Sequence, residues 1–123
     1  LHLQGKGVDV AGPTVALGPQ ALQLIGMALH ELATNSTKYG VMSGGRGDIR
    51  CHWSHTEKGG LRFQWVETGI TFDPSAKKAS GFGSKVLSVL APAMVNGAAD
   101  TVISEDALTW TLTIPAAHLG KVA

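Results

Sequence analysis

"ALHELATNSTKYG", residues 28 to 40, opens with the His-Glu pair of a zinc-protease helix and then departs from it. A helix of the H-E-x-x-H kind carries its second histidine four residues after the first, so that both imidazoles reach one ion. Position 34 is instead Thr34. What remains is a glutamate, an asparagine, a lysine and a tyrosine on a segment of helical spacing from Gly18 to about Lys38. Leu22, Ile25, Leu29, Leu32 and Ala33 fall on one side, and Gly40 supplies a stop. Glu31, Asn35 and Lys38 share an arc of roughly 60°, opposite the Leu22, Ile25 and Leu29 stripe. An ordinary solvated face is one reading. Thr34 and Asn35 favour another, because both are mediocre helix formers and short polar side chains in mid-helix often have a specific partner. A carboxylate, an amide oxygen and an ammonium on one face suit a hydrated divalent cation with a polyphosphate: Mg²⁺ takes hard oxygen ligands, and lysine offers phosphate a point charge.

Outward from this helix the patterning changes. "HLQGKGVDVAG" and "TVAL" alternate around Gly12 and Pro13, as two short strands joined by a turn would. "IRCHWSHT" and "GLRFQWVET" alternate again, with Ile49, Cys51 and Trp53 on one face and Leu61, Phe63 and Trp65 on one face, and "EKGG" joins them as a hairpin. Residues 68 to 80 read as a loop. "GFGS" then opens "KVLSVLAPAMVNG", helical in spacing with Pro92 as a kink or end, before the strands "DTVIS" and "ALTWTLTIP". Helices interleaved with hairpin-connected strands predict an α/β fold, a two-layer α/β sandwich whose mixed, largely antiparallel sheet is covered by helices on one face.

Composition bounds what such a domain does. The chain has 123 residues, 44% of them hydrophobic, enough for one domain with one core. A net charge of +1 with 15% charged residues, and no basic stripe interleaved with aromatics, argues against nucleic acid or an anionic membrane as partner. The one cysteine, Cys51, forms no internal disulfide and favours a reducing compartment, so a cytoplasmic setting is expected. No apolar run approaches the roughly 20 residues of a membrane span. The chain starts at Leu1 inside a strand-like segment, which suggests a piece cut from a longer protein.

Two further segments carry chemistry. "WVETG", residues 65 to 69, places a carboxylate at a strand end two residues before a glycine suited to a close turn. "GFGS", residues 81 to 84, is a glycine turn opening a helix, where free N–H groups and the helix dipole favour an anion. Their order, an E-x-x-x-N helix, an acidic-x-Gly turn, a loop, G-x-G opening a helix and a last strand ending in Thr and Pro, resembles the Bergerat nucleotide-binding fold of histidine kinases, gyrase-type ATPases and Hsp90. More narrowly, "HELATNSTKYG", "WVETG" and "GFGS" resemble the HWE subfamily of sensor histidine kinases. The resemblance covers nearly the whole chain, and the helix motif is its specific part.

This resemblance implies roles position by position. Asn35 matches the asparagine that ligates Mg²⁺ between the ATP phosphates, Glu31 the general base or orienting group four residues earlier, and Lys38 a phosphate contact. Tyr39 would flank the nucleotide. His30 matches the subfamily's namesake and joins the catalytic group, although a packed, hydrogen-bonded histidine fits that place as well. Glu67 stands where other histidine kinases carry the aspartate that accepts the adenine amino group. A carboxylate there takes a hydrogen bond from that amine and would meet a carbonyl on guanine, which favours ATP over GTP. Gly69 permits the turn beneath the base, Gly81, Gly83 and Ser84 frame the phosphates, and Thr109 is the adenine-side threonine of the last strand. Ile70 and Thr71 depart from the second glycine and proline that often follow the acidic-x-Gly turn, and residues 70 to 80 are short for an ATP lid.

Other features are plainer. Strand alternation puts His52 opposite Cys51 and His55, which disfavours a metal site in "CHWSH". "RGD" at 46 to 48 is a turn tripeptide, Met27 and Met94 fit core packing, and Trp53, Trp65 and Trp110 belong to the sheet core. The implied function is the ATP-binding catalytic domain of a sensor histidine kinase. It would position Mg²⁺-ATP for a histidine on a separate helical dimerisation domain of a homodimer, for relay to a response regulator. None of His2, His52, His55 or His118 lies in a helical segment of the acceptor type, so the chain is expected to bind ATP without phosphorylating itself. The rivals are a free-standing ATPase or anti-sigma serine kinase of the same fold, and a degenerate docking domain that holds no nucleotide.

Overall fold

The computed structural model describes residues 7–39, 41, 47–69, 93 and 96–120, residue 39 by its backbone alone. Among these residues five strands form one sheet: β1 (Val8–Ala11), β2 (Asp48–His55), β3 (Leu61–Thr68), β4 (Ala98–Ile103) and β5 (Ala107–Ile114). Their order is β1-β2-β3-β5-β4, with β1 parallel to β2 and every other pair antiparallel. One long helix, α1 (Pro19–Tyr39), and a 3-10 turn at Ala116–His118 complete the described elements. The mixed, largely antiparallel sheet and the helix layer follow from the alternation and helical spacing of the chain.

Period-two alternation decides which side of the sheet is covered. On β3, Leu61, Phe63, Trp65 and Glu67 are buried while the residues between them are half-buried or exposed. Ile49 and Cys51 of β2 and Trp110, Leu112 and Ile114 of β5 join that face, and Ala21, Leu24, Ile25, Ala28 and Leu32 of α1 pack onto it. Burying a side chain the size of Leu24 or Leu112 stabilises the fold by about 1.5–3 kcal/mol. Trp65 lies opposite Trp110 in the β3–β5 register, and Phe63 meets the Trp110 ring edge-on at 6.4 Å.

The helix is rotated from its expected orientation. Leu22 is 62% exposed, and the buried stripe is Ala21, Leu24, Ile25, Ala28, Leu32 and Ser36. Its centre lies only roughly 90° around the helix from Glu31 and roughly 50° from Asn35 rather than opposite them. Leu24, Ala28, Glu31 and Asn35 follow one another at spacings of four, three and four. The polar face therefore continues one edge of the core ridge.

The entry to the fold also differs from the expected pair of strands. Among the described residues of this stretch only Val8–Ala11 is a strand, and it runs parallel to β2 instead of pairing with "TVAL", of which Leu17 alone forms a bridge, to Leu119. The reason is steric. The chain leaves β1 beneath the Trp53 indole, where a Cβ on Gly12 would approach the ring to 2.3 Å, and the indole N–H donates to the Pro13 carbonyl at 2.8 Å. Gly18 N–H then bonds the His118 carbonyl at 2.8 Å, tying the start of α1 to the 3-10 turn that follows β5.

The two hairpins form as expected. Thr56 to Gly60 closes the first, with Gly59 at φ +81° and the Gly60 N–H donating to Thr56 Oγ1 at 3.0 Å, and Ser104 to Asp106 closes the second. The expected loop of residues 68 to 80 begins too early, since Thr68 is still in β3; its residues 70 to 80, the "GFGS" turn, most of the second helix including Met94, the Gly40 stop and Arg46 lie outside the described residues.

Candidate functional site

The candidate site grows from the end of β3 and the last turns of α1. Glu67 is 2% exposed on the helix-facing side of the sheet. A carboxylate so buried is costly unless it is hydrogen-bonded. Ser36 Oγ–H donates to its Oε1 at 2.6 Å, the Val41 N–H donates to the same oxygen at 3.0 Å, and the Trp65 indole N–H donates to Oε2 at 2.9 Å. Each donor comes from a different place: the buried edge of α1, the backbone just beyond it, and the same strand two residues earlier. The Trp-x-Glu motif thus has a local reason, since residues i and i+2 of a strand share a face.

Beside this network, Glu31 and Asn35 are half-buried and Lys38 is exposed. Among the described residues their side chains make no hydrogen bond or ion pair. A carboxylate and an amide oxygen one turn apart are hard-oxygen donors of the kind Mg²⁺ takes, so the residues present fit that ion. Thr34 has a humbler explanation than a ligand. Its hydroxyl donates to the His30 carbonyl at 2.8 Å, and Thr37 does the same to Ala33 at 2.9 Å, so both back-bond within their own helix.

The remaining candidates separate. His30 is exposed on α1, so the packed alternative does not hold for its side chain. Gly69 directly follows β3 at φ +88°, and a Cβ there would come within 2.9 Å of the Gly47 Cα, so both conformation and space demand glycine. Thr109 requires a correction. It pairs with Val66 while Trp110 pairs with Trp65, which puts Thr109 on the face opposite Glu67 and α1. Its neighbour in phase, Thr111, accepts a hydrogen bond from Gln64 on that outer face at 3.1 Å. The last strand presents Leu108 and Trp110 toward Glu67's side instead. The Tyr39 side chain, Gly81, Gly83 and Ser84 lie outside the described residues.

Sequence reasoning missed Ser36 and the donor role of Trp65. The signal for Ser36 was its place four residues after Leu32, on the buried ridge, where a polar residue needs a partner. Cys51 and His52 face opposite ways: Cys51 is buried, its thiol pushed up to about 11 by burial, while His52 Nε2 lies 2.8 Å from Asp9 Oδ2 on the outer face. Among the described residues no three His, Cys, Asp or Glu side chains gather as a metal site, and no helix is long and apolar enough to cross a membrane.

No family model matches the chain. It is 44% identical over 62 residues, half of its length, to blue-light-activated histidine kinase 1 of Erythrobacter litoralis, and 27% identical over 116 residues, 90% of its length, to a blue-light-activated histidine kinase of Brucella anthropi. It spans 17% and 23% of those relatives. The histidine kinase domain of an Erythrobacter litoralis blue-light-activated kinase superimposes with a TM-score of 0.75 at 16% identity, covering 89% of this chain and 51% of that one. The catalytic domain of histidine kinase ThkA gives 0.66 at 15% identity, covering 89% of this chain and 77% of that domain. Similarity along most of the chain and a shared fold set it beside the catalytic domains of histidine kinases, and its helix and Trp-x-Glu motif resemble those of the HWE kind.

Proposed function

We propose that this chain is the part of a sensor histidine kinase that holds ATP and presents its γ-phosphate to a histidine on a separate helical dimerisation domain. The observation that carries this reading is the Glu67 carboxylate, anchored beside the end of α1 with three donors and an acceptor position to spare. An exocyclic amine is the partner such an oxygen accepts from. Asn35 and Glu31, half-buried and without partners among the described residues, are the groups proposed to hold Mg²⁺ and to orient the attacking group, with Lys38 on phosphate. His30 flanks this group from the exposed side, Tyr39 the nucleotide, and Gly69 supports the base. Gly81, Gly83 and Ser84 supply backbone and hydroxyl donors to phosphate. Bound Mg²⁺ would neutralise phosphate charge. The protein's part in such chemistry is positioning and charge stabilisation, which suits a site of few side chains.

The whole protein is proposed to be a cytoplasmic homodimer that relays phosphate to a response regulator. Isothermal titration of the chain with ATP and GTP, each with and without Mg²⁺, tests the reading. Saturable binding that prefers ATP and strengthens with Mg²⁺ is expected; binding of neither nucleotide would return the domain to the docking-module alternative. The Trp-x-Glu motif disfavours the serine-kinase and free-standing ATPase readings.

A further inference from the structure

Glu67 is held more tightly than recognition of one amine requires, and the way it is held is unsymmetrical. A carboxylate offers about two acceptor positions on each oxygen. Ser36 and Val41 both donate to Oε1, whereas Oε2 receives the Trp65 indole N–H and, among the described residues, nothing else. The Trp65 ring cannot readily turn away, because it is itself buried and lies opposite Trp110 across the β3–β5 ladder. We infer that Trp65 and Ser36 are positioning residues for nucleotide selectivity: they saturate one oxygen of Glu67, aim the other, and leave Oε2 one acceptor position for a 6-amino purine. This deepens the proposed function and rests on it.

The asymmetry has a chemical consequence that a merely structural network would not have. In Glu67→Gln the amide oxygen belongs on the Ser36–Val41 side, where two donors converge. The amide nitrogen then opposes the Trp65 N–H, donor against donor. Removing that indole in Trp65→Phe relieves the conflict, so E67Q is better tolerated in the W65F background. In the double variant the group turned toward the purine is a donor, which suits the carbonyl of guanine and not the amine of adenine.

The test is titration of the chain and its W65F, E67Q, W65F/E67Q and Ser36→Ala variants with ATP, GTP and inorganic triphosphate, alongside thermal unfolding. In wild type ATP should bind more tightly than GTP. W65F should lower that ratio by about tenfold, the value of one hydrogen bond to a charged group, with triphosphate binding unchanged. S36A, which opens no ring-sized cavity, should lower it less and in the same direction. The double variant should reverse the preference and unfold at a higher temperature than E67Q alone. If wild type selects ATP and the ratio survives W65F and S36A, the inference falls while the proposed function stands. Equal losses for ATP and triphosphate would also overturn it, by reducing these residues to a structural role. If W65F does not fold, an unchanged ratio in S36A is decisive against it. Failure of wild type to bind either nucleotide would overturn the proposed function, and this inference with it.

Discussion

Two glutamates of the candidate site, Glu67 and Glu31, are opposites in how the protein treats them. Glu67 sits at 2% exposure with three donors drawn from α1, from the backbone beyond it and from its own strand. Glu31 is half-buried on α1 and has no partner among the described residues. The first is part of the architecture and the second is spare chemistry. A carboxylate that must discriminate between purines benefits from being immobile, whereas one that meets a hydrated cation and a moving phosphate must remain free to adjust. The contrast also separates stability from function: perturbing Glu67 should damage the fold, and perturbing Glu31 or Asn35 should not.

The sharpest way to break this contrast is Glu67→Ala. It leaves the Val41 and Trp65 N–H groups facing a void, and stranded donors cost about 1–3 kcal/mol each. A loss of about 3 kcal/mol or more is expected in urea unfolding. A loss under about 1 kcal/mol would mean that water replaces the carboxylate and that Glu67 is not structural. Next in size is Gly69→Ala, at the turn that follows the same strand. The left-handed φ of +88° and the 2.9 Å approach to Gly47 predict a loss of about 1–2 kcal/mol; stability equal to wild type would show that the turn relaxes without harm.

A smaller effect should come from pH. Cys51 packs on the same core face as Trp65, and burial raises its thiol from 9.0 to about 11, favouring the neutral form in the folded state. The stability this represents is fully present below pH 9 and is lost as pH rises toward 11. Cys51→Ala should flatten the pH dependence in that window, measured as unfolding midpoints; an unchanged slope would locate the alkaline sensitivity elsewhere. The smallest stability effects belong to Glu31→Ala and Asn35→Ala, each within about 0.5 kcal/mol of wild type. Asn35→Ala should nevertheless abolish the Mg²⁺ dependence of ATP binding. Undiminished Mg²⁺-dependent affinity would remove Asn35 from the site.

Much of this contrast was legible in the chain, and the part that was not has a common cause. Alternation in "IRCHWSHT", "GLRFQWVET" and "ALTWTLTIP" predicted β2, β3 and β5, and the E-x-x-x-N spacing grouped Glu31 with Asn35. The phase of each element against its neighbours was the weak link. Leu22 looked like core and is exposed, because α1 packs through Ala21, Leu24 and Ala28. Thr109 looked like a ligand contact and faces away, because the β3–β5 register sets it opposite Val66 and not Glu67.

By itself the sequence determined what depends on neighbours along the chain: the strands and hairpins, the long helix, the shared face of Trp65 and Glu67, the shared arc of Glu31, Asn35 and Lys38, and the glycine at 69. Only the tertiary structure decided that β1 runs parallel to β2, that Ser36 and Val41 meet Glu67, and that Thr109 lies on the far side of the sheet. Periodicity orients side chains relative to one another within an element. Which of them becomes buried is settled when elements from distant parts of the chain pack, through contacts that no local pattern records.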